Sequence, residues 1–141
     1  MYCSLSAWVA IMGSGTTEPF LYKDETFQLR GAIFHVHRTM GPGFLEAVYQ
    51  ECLAIEFTRR EIPFAASKPL ALRYEGCLLR QSYVADFVCF DRIILELKAV
   101  RAIAPEHRAQ ILNYLRATDL RLGLLANFGA GPQVEIERFA L

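Results

Sequence analysis

Three ionisable residues lie in two apolar stretches near the middle of the chain. Asp86 belongs to the stretch that ends at Phe90, and Glu96 and Lys98 belong to the stretch that starts at Ile93. Residues two apart in a strand point to the same face, so Glu96 and Lys98 share a face. Burying three ionisable side chains in a sheet is expensive unless they form ion pairs or hold a metal ion. Chemistry is therefore expected here.

The two stretches are separated by the polar pair Asp91-Arg92, which predicts an antiparallel hairpin. A two-residue loop at this pair would place Asp86 opposite Leu97, on the face away from Glu96 and Lys98. A three-residue loop or a bulge would place Asp86 opposite Lys98 and bring the three charged side chains to one face. If these residues act together, the hairpin cannot have the two-residue loop.

A predicted helix from about 44 to 60 carries the next candidate residues. Glu46 and Tyr49 are three residues apart and are therefore neighbours on its surface. If Gly43 is the N-cap, Glu46 is the third helical residue, where free N–H groups and the helix dipole favour a carboxylate. A capping role and a functional role both remain open for Glu46.

Two other predicted helices carry histidines. His37 lies on the helix from Asp24 to about Thr39, where a lone histidine is more often a hydrogen-bonded core or boundary residue than a ligand. His107, Gln110 and Tyr114 share one side of the helix from about 104 to 117. Capping and core packing are the alternatives to function for Gln110 and Tyr114.

Composition limits the class of protein. The 141 residues are 53% apolar and suffice for one domain with a substantial core. Fifteen basic and fifteen acidic residues cancel, so any site for a polyanion must be local. The four cysteines have no paired CxxC spacing, which indicates neither a zinc knuckle nor a disulfide framework and favours a cytoplasmic protein. Residues 1–22 are interpreted as an N-terminal extension, with an apolar run too short to span a membrane.

The remaining pattern predicts one α/β (α+β) domain over residues 23–141. Strands are expected at about 68–74, from Cys77 to the hairpin, from Ile93, at about 121–128 and at about 133–139. The unit from Ile93 to Phe128 is strand, helix, strand, which predicts a parallel crossover. The expected architecture is a mixed central β-sheet flanked by helices.

Several motifs resemble known families. Asp86, nine intervening residues and Glu96-x-Lys98 are similar to the active-site pattern of the PD-(D/E)XK nuclease superfamily, although Ala85 replaces the proline of the literal motif. The segment 43–49 (GFLEAVY) resembles the motif of the GxxExxY family within that superfamily. The segments 41–43, 107–110, 113–115 and 124–129 resemble the same family, over roughly residues 26–129. Gln110-x-x-x-Tyr114 is similar to an element of bacterial recombination and CRISPR adaptation nucleases.

The resemblance implies a restriction-endonuclease-like core, with αβββαβ order plus an extra N-terminal helix and a C-terminal edge strand. It implies a nuclease that uses Mg²⁺ or Mn²⁺, because a hard cation stabilises phosphate charge and activates water. The implied roles are metal binding by Asp86, Glu96 and Glu46, with His37 a further candidate ligand, and catalysis by these three acids with Lys98 and Gln110. The implied substrate-binding residues are Tyr114 and Gln110, with His107 and Tyr49 as further candidates.

The expected partner is nucleic acid, DNA rather than RNA, with no membrane and with a homodimer as a reasonable assembly. A different class of function fits the same residues. The fold can serve as a non-catalytic binding or assembly module whose polar cluster is kept as a buried ion-pair network. A hydrolase of small phosphate esters is a third reading of the same residues.

Overall fold

A computed structural model of the chain describes residues 20–141. Three helices and five strands follow the predicted order. The helices are α1 (Lys23–Met40), α2 (Glu46–Arg59) and α3 (Pro105–Thr118), and the strands are β1 (Phe64–Tyr74), β2 (Cys77–Cys89), β3 (Ile93–Lys98), β4 (Leu122–Asn127) and β5 (Glu135–Ala140). Among residues 20–141, no helix combines the length and the apolar character that a membrane span requires.

The five strands form one sheet in the order β1-β2-β3-β4-β5. Of the neighbouring pairs among these five described strands, only β3 and β4 are parallel, and α3 connects them, whereas the others are antiparallel. The parallel register aligns Glu96 with Leu125 and Lys98 with Asn127. The mixed sheet and its helices confirm the predicted α+β, restriction-endonuclease-like fold.

The helices cover the two faces of the sheet, and alternation in β3 explains why. Leu95 and Leu97 belong to the larger core, which α1 and α2 close with side chains such as Leu29 and Phe57. Ile94 points the other way and packs with Leu115 of α3. Glu96 and Lys98 have the parity of Ile94 and therefore lie on the α3 face, at the end of the strand.

The starts of two helices differ from the predicted positions. The N-cap of α2 is Leu45, in an extended conformation, so Glu46 is the first helical residue rather than the third. The Gly43 backbone has a φ of 107°, which keeps it in the preceding turn. The N-cap of α1 is Tyr22, and Asp24 lies in the first turn.

The β2–β3 hairpin has a three-residue loop, as the face argument required. Cys89 pairs with Ile93, and the loop residues Phe90 and Asp91 have φ values of 55° and 56°. The register differs from the expected one, however. Phe87 pairs with Leu95, so Asp86 is level with Glu96 rather than opposite Lys98.

Candidate metal and active site

The centre of the site is the point where β2 and β3 separate. Their backbone pairing ends at Phe87 and Leu95. Beyond it, side chains replace the ladder, since the Asp86 N–H donates to Glu96 Oε1 (3.0 Å) and the Leu97 N–H donates to Asp86 Oδ2 (2.8 Å). Each carboxylate is therefore anchored through one oxygen to the opposite strand. The other oxygen of each carboxylate accepts no hydrogen bond from residues 20–141.

A distortion of β2 at Asp86 creates this arrangement. Ala85 packs in the α3-side cluster, whereas Phe87, two residues later, packs in the α1–α2 core. A regular strand would place both side chains on one face. Opposite Asp86 in β1, Ser67 has a φ of 48°, and Gln50 of α2 donates to Ser67 Oγ (3.3 Å) and to the Asp86 carbonyl (3.0 Å).

Tyr83 is a member of the site that the sequence analysis missed. Its hydroxyl donates to Glu96 Oε1, and its ring stacks on Tyr114 of α3 with 3.4 Å between centroids. Burial and the neighbouring Glu96 carboxylate raise the pKa of Tyr83, so the hydroxyl stays a donor. Regular alternation would put Tyr83 and Asp86 on opposite faces, so no sequence signal pointed to it.

Glu96 is held in an unfavourable electrostatic environment. Burial and then the negative charge of Asp86 raise the pKa of the Glu96 carboxyl from 4.5 to about 7. The hydrogen bonds from Tyr83 and from the Asp86 N–H, and the charge of Lys98, oppose this increase. They do not cancel it, so near neutral pH the pair resists carrying two negative charges.

Lys98 shares a small cleft with Glu96. The cleft is lined by Tyr83, Glu96, Lys98, His107, Gln110, Ile111, Tyr114 and Leu125. Its volume is about 10 Å³, the space of a single water-sized particle. Within residues 20–141, Lys98 forms no ion pair, since every nitrogen–oxygen ion pair within 4.0 Å involves other residues. The stabilising ion-pair network that was the alternative reading is therefore absent from the described chain.

The three α3 residues singled out from the sequence all line this cleft. His107 Nδ1 accepts a hydrogen bond from the Ala104 N–H (3.1 Å) at the start of the helix. That bond assigns the proton of the neutral ring to Nε2, which leaves an N–H donor. Gln110 is exposed, and its Nε2 lies 3.5 Å from the Tyr114 hydroxyl. His107 therefore both caps the start of α3 and lines the cleft.

The loops at the carboxyl ends of β3 and β4 fix the backbone of Lys98. The Phe128 N–H donates to the Lys98 carbonyl (2.8 Å), and Asn127 Oδ1 accepts from the N–H groups of Val100 (3.0 Å) and Gly129 (3.1 Å). A Cβ atom on Gly129 would lie 2.6 Å from the Val100 nitrogen. Only glycine permits this close approach, which explains the glycine that ends segment 124–129.

Tyr49, a predicted candidate for substrate binding, occupies a position in the core. The side chain is fully buried, and its ring stacks on Phe128. Its hydroxyl donates to the Gly41 carbonyl (2.6 Å) and accepts from the Phe44 N–H (3.3 Å). Tyr49 therefore ties the turn before α2 to the core.

The expected set of metal ligands is only partly assembled. No group of three or more His, Cys, Asp or Glu residues within 20–141 is placed to hold one ion. His37 is 7% exposed and lies beside Phe128 in the α1–α2 core, away from the α3 face. Glu46 is exposed in the first turn of α2, one turn before Gln50. The structure therefore brings Asp86 and Glu96 together without His37 or Glu46.

The donor set still fits one kind of metal ion. Magnesium is usually held by one or two carboxylates, with water and substrate phosphate completing the shell. Asp86 and Glu96 each offer a carboxylate oxygen, and a divalent cation would offset both the burial of the charge and the repulsion by Asp86 that raise the pKa of Glu96. Among the described residues that line the cleft, His107 alone offers a nitrogen or sulfur ligand of the kind that zinc prefers.

A comparison with protein families agrees with this geometry. Residues 23–139 match the family described as the PD-(D/E)XK nuclease superfamily, and the chain belongs to that superfamily. Searches of curated proteins and of solved structures each found no match. The closer resemblance to the GxxExxY family stays a prediction, because the match names the superfamily.

Proposed function

We propose that this protein is a metal-dependent nuclease that hydrolyses phosphodiester bonds, with DNA rather than RNA as its substrate. Membership of the superfamily supports nuclease activity. The observation that carries the proposal is the pair Asp86–Glu96, in which burial and then the charge of Asp86 raise the pKa of Glu96 to about 7. The nearby Lys98 forms no ion pair with residues 20–141. A cluster that lowers stability without a bound cation is typical of a site selected for function.

Asp86 and Glu96 are the proposed ligands of Mg²⁺ or Mn²⁺. When bound, the ion supplies positive charge to the phosphate and lowers the pKa of a coordinated water. The protein holds the two carboxylates through the Leu97 and Asp86 N–H groups and through Tyr83. These contacts fix their orientation before any ion arrives, which reduces the reorganisation that binding requires.

Lys98 is the proposed partner of the attacking water. Its ammonium lies in a half-buried position next to a space for one water-sized particle. An ammonium there donates a hydrogen bond to the nucleophile and offsets the charge that develops on the phosphate oxygens. The contacts of Phe128 and Asn127 hold the Lys98 carbonyl and the Val100 N–H in place.

The α3 side chains are assigned to the substrate. The His107 Nε2–H and the Gln110 amide are donors at the mouth of the cleft, where a phosphate oxygen is an acceptor. Tyr114 holds Tyr83 by stacking, and its hydroxyl accepts a hydrogen bond from the Gln110 amide. Glu46, one turn before the Gln50 that contacts the Asp86 carbonyl, is assigned a weaker role, as an acid that acts on the ion through water.

Nuclease assays of purified protein test the proposal. Single-stranded, double-stranded, flap and branched DNA, and RNA, would be incubated with Mg²⁺ or Mn²⁺ and analysed for cleavage. Asp86→Asn and Lys98→Ala should each lower the rate at least about 100-fold, since each removes charge that acts mainly in the transition state. The matched controls Asp91→Asn and Lys23→Ala should retain the parent rate.

Two results would decide against catalysis. One is a folded protein that binds Mg²⁺ or Mn²⁺ and cleaves none of these nucleic acids. The other is cleavage that survives both Asp86→Asn and Lys98→Ala, which would indicate a contaminating nuclease. A chromogenic phosphodiester screen would detect the third reading, a hydrolase of small phosphate esters.

The rival proposal, a non-catalytic assembly module, rests on the balanced net charge and the high apolar fraction. One form of this rival proposal keeps the polar cluster as a stabilising ion-pair network. The absence of an ion pair between Lys98 and residues 20–141 disfavours that form. Scattering or native mass measurements that reveal an obligate oligomer, with Asp86 and Glu96 inside the interface, would favour it.

A further inference from the structure

The β1–β2 hairpin extends past the edge of the sheet at which the candidate site opens. Because Asp86 is level with Glu96, continuing the register places Val84 level with Lys98, the last residue of β3. Residues 77–83 of β2 and their partners in β1 therefore have no neighbour in β3. We call residues 69–84 the hairpin arm.

The two faces of the hairpin arm are unequal. The inner part of one face packs under α3, where Leu70, Leu72 and Tyr83 share a cluster with Tyr114 and Leu115, whereas Tyr74 and Leu79 nearer the tip are exposed. The other face is exposed along its whole length, with Leu78 63% and Val84 54% accessible. Strand pairing places Pro69, Ala71, Arg73, Leu78, Ser82 and Val84 on this open face. Arg80 lies within the register shift opposite residues 71–73 and is assigned to the same face by its parity with Leu78 and Ser82.

The charge on the open face has one sign. It carries two arginines, Arg73 and Arg80, and no acidic residue, and the nearest acid, Glu75, lies in the turn at the tip. Both arginines are exposed, and neither forms a hydrogen bond or ion pair with residues 20–141. Unpaired guanidinium groups on a surface of this kind match the oxygens of a polyanion.

The same charges argue against a second copy of the chain as the occupant. A two-fold symmetric contact joins a patch to itself. Such a contact would bring Arg73 and Arg80 of both copies together with no acid on either face. Like charges in a desolvated interface are unfavourable, so the face is a poor dimer surface.

We propose that the open face of the hairpin arm binds the phosphate backbone of the nucleic acid substrate, on one side of the bond to be cleaved. This inference rests on the proposed function and adds to it the surface that holds the substrate. Arg80 is six residues from Asp86, which is about 20 Å along a strand. The open face is turned away from α3, so the nucleic acid would pass around the end of β3 to reach the α3-side cleft, and at 3.4 Å between phosphates the contact lies at least about six nucleotides from that cleft.

The test measures binding separately from cleavage. The affinity of full-length protein for 20-base-pair and 8-base-pair DNA duplexes would be measured in EDTA over a series of salt concentrations, for the parent and for Arg73→Ala/Arg80→Ala. The double variant should bind the longer duplex about tenfold less tightly, with a slope of log K against log salt reduced by about 2. An 8-base-pair duplex centred on the candidate site extends only four base pairs to each side and does not reach the hairpin arm. The double variant should therefore lose less affinity for it.

The matched control is Arg59→Ala/Arg121→Ala, which removes two exposed arginines at the opposite edge of the sheet. It should leave affinity and slope unchanged, and circular dichroism should show all variants folded. Equal losses in both double variants would overturn the inference, since binding would then be general attraction to positive charge. Unchanged DNA affinity, together with a lower melting temperature or a change of oligomeric state in Arg73→Ala/Arg80→Ala, would also overturn it and identify the face as a protein contact.

The two proposals can fail separately. DNA binding that depends on Arg73 and Arg80 without any cleavage would retain the hairpin arm as a binding surface and remove the nuclease proposal. Cleavage that depends on Asp86 and Lys98, with no effect of the arginine variants on affinity, would support the nuclease proposal and reject the hairpin arm as a substrate-binding surface.

Discussion

Replacement of Glu96 by glutamine should change how stability depends on pH. In the folded protein the pKa of Glu96 is raised from 4.5 to about 7, so between these values the folded state binds a proton that the unfolded state has lost. Stability is therefore highest below the unfolded pKa and falls as the pH rises towards 7. At about 1.4 kcal/mol for each pH unit, the full loss is about 3 kcal/mol, and solvent screening of this half-buried group reduces it to about 2 kcal/mol.

Glutamine removes the titration and keeps the contacts. Its amide oxygen can accept from both the Tyr83 hydroxyl and the Asp86 N–H, as Glu96 Oε1 does. The free energy of unfolding of Glu96→Gln minus that of the parent should thus increase between pH 5 and pH 7, by about 2 kcal/mol, and level off above it. Other titrating groups are common to both proteins and cancel in the difference.

Urea denaturation in EDTA at several pH values measures this difference. Glu51→Gln, at an exposed position on α2, is the matched control and should differ from the parent by the same amount at every pH. If the difference in free energy of unfolding between Glu96→Gln and the parent does not vary with pH, the reasoning is refuted. Such a result would mean that Glu96 is solvated, so that the strained pair on which the site assignment rests does not exist.

Three further predictions address the ion, the loop and the buried tyrosine. Mg²⁺ at about 100 times its dissociation constant should raise the free energy of unfolding of the parent by about 2.7 kcal/mol, and calorimetry should find no such increase in Asp86→Asn; equal stabilisation of both would place the ion elsewhere. Gly129→Ala should cost about 2 kcal/mol in urea denaturation, because its methyl group would lie 2.6 Å from the Val100 nitrogen; an unchanged stability would show that the two loops separate easily. Tyr49→Phe should lower the free energy of unfolding by about 1 kcal/mol through loss of the hydrogen bond to the Gly41 carbonyl, while the cleavage rate of folded protein is retained. A large loss of cleavage rate at unchanged stability would instead support the predicted role of Tyr49 in substrate binding.

The sequence determined the elements and the residues at the centre of the site. Apolar periodicity and turn residues predicted three helices and five strands, and their order predicted the mixed sheet with a parallel crossover. Spacing alone placed Glu96 and Lys98 on one face. The requirement that Asp86 join them excluded the two-residue loop, and the hairpin has three loop residues. Local rules suffice here because strand alternation fixes faces over short distances.

Only the tertiary structure decided which neighbours complete the site. The distortion opposite Ser67 brings Tyr83 and Asp86 towards the same carboxylate, although regular alternation separates them. Tyr49 and His37 belong to the α1–α2 core, because the helices pack them against Phe128. The pKa of Glu96 depends on burial and on a charge ten positions away in the chain. Such properties arise from packing between distant segments, and no local pattern in the sequence encodes them.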